Sequence, residues 1–162
     1  MTGWKAVWAS LAVLSAGVLV GGCGPHKLGD DLAEFGITPA KTARLRLIGS
    51  EADFGTTKVR AVVTDKETIQ AVWGLIESAE PADVWHASGY RNVEFYLSQA
   101  DGEPAAVLRV NAGDLCHVAG SRRYYYDHQA RKTVGLFRCA GLHRLLMARL
   151  AAEHRRQQGP PR

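Results

Sequence analysis

The sequence predicts an α+β fold: a single antiparallel sheet with two helices packed on one face, in the order β-β-α-β-β-β-β-α. Three observations predict it. Apolar residues alternate at Leu45 and Leu47, at Val93, Phe95 and Leu97, and at Ala106, Leu108 and Val110, the period of half-buried strands. Ile69, Val72, Trp73 and Ile76, and later Cys139, Leu142, Leu146 and Leu150, recur at helical spacing. The connections between these stretches are short, which favours antiparallel neighbours with the helices gathered on one side.

Residues 1–22 stand apart from that domain. Lys5 is the only charged residue before Cys23, and a 15-residue apolar run, Ala6–Val20, follows it. A bilayer-spanning helix needs about 20 apolar residues, so this run is short for a permanent span. A cationic start, an apolar stretch and small residues before a processing point make an export signal. Its ending, Val20-Gly21-Gly22-Cys23, resembles the lipobox of bacterial lipoprotein precursors. The resemblance implies cleavage before Cys23 and a diacylglyceryl thioether on its sulfur, a covalent lipid rather than a cofactor. Two acyl chains hold a protein stably on a membrane. In Gram-negative lipoproteins an Asp after the Cys tends to retain the protein in the inner membrane. Gly24 stands there instead, so the resemblance places the chain on the periplasmic face of the outer membrane. In a Gram-positive cell it implies the outer face of the cell membrane.

Residues 23–41 read as the lipidated Cys and a flexible tether, carrying Gly24, Pro25, Gly29, Gly36 and Pro39 with little periodicity. Extended, it would reach roughly 55 Å; a short helix at Asp30–Phe35 is the alternative to a plain spacer. The α+β domain is expected over 42–156. Its first two strands lie at Leu45–Leu47 and Val59–Val63, joined by the polar segment Gly49–Thr57. Thr64-Asp65-Lys66-Glu67 matches a capping box with Thr64 as N-cap, and Pro81 ends the helix it opens. Residues 80–91 form a loop. The turns Asp101-Gly102 and Asn111–Asp114 then separate the alternating runs, and Leu115–Val118 and Arg122–Asp127 give two further strands around Ala119-Gly120-Ser121. The last helix runs from about Cys139 to Arg155, and residues 157–162, with Gly159-Pro160-Pro161, fray. The order is similar to that of small α+β lipoprotein domains with TATA-binding-protein-like topology, although no motif assigns the mature domain to a family.

The 162 residues carry a net charge of +4, unevenly spread. Residues 23–121 hold 9 basic and 14 acidic side chains, whereas residues 122–162 hold 10 and 2. Such a block steers acidic partners or favours an anionic surface, or else is a solvated helix face. Nucleic acid is excluded as a partner if the chain is exported. With Cys23 lipidated, Cys116 and Cys139 remain; in an oxidising compartment they pair as a disulfide, and otherwise they are two buried thiols.

No stretch carries a catalytic motif. Cys139 and His143 are four apart and converge on a helix, which makes them, with Cys116 or His128, the one metal candidate; there is no CxxC, HExxH or zinc-finger spacing. Ala87-Ser88-Gly89 lacks the upstream Gly of a nucleophile elbow. Two stretches suit binding: the loop with Trp85, His86, Tyr90 and Arg91, residue types that dominate protein hot spots, and the basic-aromatic run Arg122, Arg123, Tyr124, Tyr125 and Tyr126. In the latter, Tyr124 and Tyr126 are expected on one strand face and Tyr125 on the other. The expectation is therefore a non-enzymatic, membrane-anchored binding domain, of an immunity or assembly-accessory type, contacting another envelope protein. The rival expectations are a metal-dependent or Cys/His enzyme built on the C-terminal third, and a structural lipoprotein whose basic last helix lies on anionic head groups.

Overall fold

Alternation of apolar residues is what builds the sheet. The computed structural model describes residues 25–49, 54–55, 58–83, 92–98 and 104–159. Strands β1 (Arg44–Ile48), β2 (Arg60–Val63), β3 (Glu80–Pro81), β4 (Asn92–Ser98), β5 (Pro104–Asn111), β6 (Leu115–Val118) and β9 (Phe137–Arg138) form one antiparallel sheet in the order β2-β1-β4-β5-β6-β9-β3. Strands β7 (Tyr125–Asp127) and β8 (Lys132–Val134) form a separate hairpin. Among the described residues three helices accompany the sheets in an α+β fold: α1 (Leu28–Ala33), α2 (Lys66–Glu77) and α3 (Leu142–Gln158). Leu45, Leu47, Phe95, Leu97, Leu108 and Val110 on the sheet form one buried cluster with Leu32 of α1, Val72 of α2 and Leu146 of α3.

Residues 25–41, expected as a spacer, are folded instead. Leu28 and Leu32 lie one turn apart on α1 and are fully buried with Ile37, against α2 and β6. A 3-10 turn, Pro39–Lys41, then leads into β1. Burial of these three side chains, about 1.5–3 kcal/mol each, is what holds the segment against the domain.

Helix α2 starts one residue later than the capping box implies. Asp65, not Thr64, is the N-cap, and its Oδ1 accepts the Thr68 N–H at 2.9 Å. A carboxylate is the stronger partner for a helix N-terminus, and the Thr68 bonds hold its carboxyl below the usual range. The helix ends at Glu77, and Pro81 belongs to edge strand β3. Helix α3 also shifts: it begins at Leu142, beyond Cys139, and runs through Gln157 and Gln158, which the frayed-tail expectation had excluded.

The start of α3 is fixed from a distance. Its own N-cap, Gly141, has no side chain to offer. Asp114, in the β5–β6 turn, supplies the cap: Gly141 N–H donates to its Oδ2 at 2.8 Å and His143 N–H to its Oδ1 at 3.0 Å. The Cys139 N–H donates to the Asp114 carbonyl at 2.8 Å. Beside these bonds a disulfide joins Cys116 to Cys139, which are 23 positions apart in the chain, with Cα atoms 6.6 Å apart. In the chain-entropy picture a loop of that length contributes about 3 kcal/mol.

Two substitutions test this arrangement. Leu32→Ala is expected to cost about 2–5 kcal/mol in urea unfolding; a loss below about 0.5 kcal/mol would return α1 to the status of a spacer. Asp114→Ala is expected to cost about 1–2 kcal/mol, with Asp114→Gly recovering part of it because position 114 has a φ of +59°.

Candidate functional site

Two places gather polar side chains that the core does not need. The first is an N-terminal seat. His26, just ahead of α1, places its Nε2 2.7 Å from Asp31 Oδ1 and its ring edge-on to Phe137, with centroids 5.3 Å apart. Asp31 is fully buried. Burial pushes its carboxyl above the usual range, opposed by His26 and by Arg123, whose Nη1 lies 3.9 Å away. Arg123 also pairs with Glu34, Nε to Oε1, at 3.0 Å. His26 forms one wall of a cleft of about 260 Å³, with Asp83, Lys132, Thr133 and Leu136 among its other lining residues. The lining contains neither Ser nor Cys, so the described cleft gives the His–Asp pair no thiol or serine hydroxyl to activate.

The second place is the sheet face opposite the helices. Register puts Val62, Arg46, Tyr96 and Val107 in one cross-strand row. Arg60, Ile48, Glu94, Arg109 and His117 form the next. Arg109 donates from Nε to Glu94 Oε1 at 2.9 Å, and the Tyr96 hydroxyl donates to Glu94 Oε2 at 3.4 Å. The Arg46 guanidinium lies 5.7 Å from the Tyr96 ring centroid, within cation–π range. Val62 is 64 % exposed. Toward β6 the face is closed off by Tyr124, stacked on His117 at 3.9 Å with planes 8° apart. Burial, and then the nearby Arg109, lower the His117 pKa to about 4. The imidazole is therefore neutral at pH 7.

The expected site residues fall in several environments. Trp85, His86, Tyr90, Arg91 and the lipidation candidate Cys23 lie outside the described residues. The Arg122–Asp127 stretch is a strand only from Tyr125, and it pairs with β8 rather than with the large sheet. Tyr124 therefore leaves the face it was expected to share with Tyr126 and turns onto His117, while Tyr126 meets His128 edge-on. Arg122 is exposed, Arg123 is drawn to α1, and Tyr125 is 52 % exposed.

The Cys139–His143 metal candidate fails in this structure because both sulfurs are committed to the disulfide, leaving no thiolate for a metal or for nucleophilic attack. Among the described residues no group of three His, Cys, Asp or Glu is placed to hold an ion. Sequence reasoning missed His26, Glu94, Tyr96 and Arg109, and it missed the partners of Asp31 and His117. Glu94 and Tyr96 carry a signal, two polar positions alternating with Val93, Phe95 and Leu97, but only the strand register brings Arg109 opposite them. Compared with protein-family models, curated proteins and solved structures, the chain matches none.

His117 gives the domain a pH dependence with a definite sign. Unfolded, the ring titrates near pH 6.5, and folded it titrates near 4. Between those values the unfolded chain binds the extra proton, so stability is intact above about pH 6.5 and falls as pH drops toward 4. After allowance for solvent screening at this incompletely buried site the loss is about 1–2 kcal/mol. Thermal unfolding at pH 7 and pH 4.5 reads it, and His117→Phe is expected to flatten that part of the profile. An unchanged slope in the variant would assign the loss to other groups.

Proposed function

We propose that the chain is a membrane-anchored lipoprotein of the bacterial envelope, held outside the cytoplasm by lipidated Cys23, whose domain is a non-enzymatic module that binds another envelope protein. The binding half of this reading is carried by the sheet face away from the helices. An exposed Val62 beside an Arg46–Tyr96 pair and the Glu94–Arg109 bridge combines apolar, aromatic and guanidinium surface, the mixture enriched where proteins meet. The rows there are held by the sheet itself, so little side-chain order has to be gained on association. The anchoring half rests on Val20-Gly21-Gly22-Cys23, and the Cys116–Cys139 bridge supports it, since structural disulfides persist mainly in oxidising compartments.

Intact mass spectrometry and crosslinking check the two halves. Protein from its native host is expected to begin at Cys23 and to carry acyl-chain mass, and Cys23→Ser is expected to leave the precursor uncleaved; a mature chain retaining Met1 would overturn the anchor. Crosslinking in intact envelopes is expected to enrich one protein over an unrelated lipoprotein. The Arg46→Glu, Tyr96→Ala double variant should lose at least about tenfold of that enrichment, as removal of a central Arg–aromatic pair does at hot spots. Equal enrichment by the variant would remove this face from the interface.

A further inference from the structure

We infer that the β7–β8 hairpin seats the protein on its membrane by contacting anionic phospholipid head groups. The inference rests on the lipid-anchor reading and adds the surface through which the anchored domain meets the bilayer.

The position of the anchor comes first. His26 is pinned by the buried Asp31 carboxylate at 2.7 Å and by the Phe137 ring at 5.3 Å. Only Gly24 and Pro25 separate it from Cys23, and three peptide units reach at most about 11 Å. A lipid on Cys23 therefore enters the bilayer close to the His26 seat. The hairpin flanks that seat: Lys132, Thr133 and Val134 of β8 line the same cleft as His26.

The hairpin's chemistry suits a head-group layer. Residues 122–132 contain Arg122, Arg123, Arg131 and Lys132 against one acid, Asp127. Arg123, although exposed, is committed to the ion pair with Glu34; Arg122, Arg131 and Lys132 are exposed as well, as is Lys27 beside the seat. Asp127 closes the turn by accepting the N–H groups of Gln129 and Ala130 at 2.9 and 3.0 Å. Asp83, exposed across the cleft, is the one acid among the residues that line it. Tyr125, 52 % exposed, adds the amphipathic ring enriched at membrane–water interfaces. Basic groups near a lipidated residue are the usual second signal that reinforces an acyl anchor.

The hairpin is rigid enough to act as a contact. Gly135, with φ +74°, brings the end of β8 against Arg123, and a Cβ there would sit 2.5 Å from the Arg123 carbonyl oxygen. The rival basic cluster, Arg155 and Arg156, ends α3 at the other side of the sheet, where His154 meets Phe54 in the β1–β2 connection. Strand β1 stands four strand spacings from β9, about 19 Å. Proximity to the anchor therefore selects the hairpin over the helix end.

The test uses full-length lipoprotein purified from host membranes and reconstituted into vesicles of phosphatidylcholine alone or with phosphatidylglycerol. A spin label at Gln129→Cys reports the hairpin tip, and one at Val62→Cys reports the sheet face. With phosphatidylglycerol present, the Gln129 label is expected to lose at least fivefold of its collision rate with a water-soluble nickel chelate, while the Val62 label does not change. Protection should disappear in phosphatidylcholine alone and in the Arg122→Glu, Lys132→Glu variant. Protein that floats with the vesicles while its Gln129 label stays as accessible as in detergent would overturn the hairpin contact and leave the anchor standing. Protein that does not float would overturn the anchor and the seating together. The lipid comparison needs no charge variant, so a folding defect in the double variant cannot decide the outcome.

Discussion

Asp114 is the residue on which the arrangement of layers depends. Its carboxylate caps a helix that has no cap of its own, and its carbonyl takes the Cys139 N–H. Two neighbours brace the same turn: Asn111 Oδ1 accepts the N–H groups of Gly113 and Leu115, and Arg138 donates to the Gly113 carbonyl at 3.3 Å. The disulfide lies one strand residue further on. Together these bonds fix where α3 leaves the β6–β9 pair. Leu142, Leu146 and Leu150 then cover strands β5, β4, β1 and β2. A helix entering the sheet at another height would not match that apolar stripe to the strand residues beneath it, so a single hydrogen-bonded turn sets the packing of the longest described helix.

The parts of the fold that were legible in the sequence are those whose signal is local. The strands around Leu45, Phe95 and Leu108 declare themselves by alternation, and α2 by Ile69, Val72, Trp73 and Ile76, all buried. Helix α1 was legible only as the alternative to a spacer, a short helix at Asp30–Phe35, because six residues with Gly29 among them show only Leu28 and Leu32, too few positions to define a period. Strands β3, β8 and β9 have two or three residues each and exist because a neighbour pairs with them. The Thr64 capping box looked complete, yet Asp65 competes for the same N–H groups with a charged acceptor. Whether Cys116 met Cys139 was a question of distance, which spacing along the chain does not contain.

The same limit explains the candidate sites. Arg122, Arg123 and Tyr125 were visible as a composition, but not the division of labour among them: one cation faces solvent, one reaches α1 to pair with Glu34, and the tyrosine sits on a hairpin apart from the main sheet. His26 looked like part of a linker. Its partner is a carboxylate five residues later that is buried only because α1 folds down over β6. His117 acquires its shifted pKa from a tyrosine-capped position next to Arg109, a neighbourhood created by strand register. In each case chemistry depends on contacts between segments that composition treats separately.

The two borders of the seven-stranded sheet have a consequence for self-association. An unpaired strand offers its N–H and C=O groups as a template for another chain. Here one border is β3, two residues long and including Pro81, whose nitrogen carries no hydrogen to donate. The other is β2, four residues long and carrying exposed Arg60. A second copy adding to either would find few free ladder positions, and at β2 two such copies would bring like charges together. The sheet is thus built to resist growing into a fibre by adding copies of itself, a useful restraint for a domain that an anchor would crowd into the plane of a membrane.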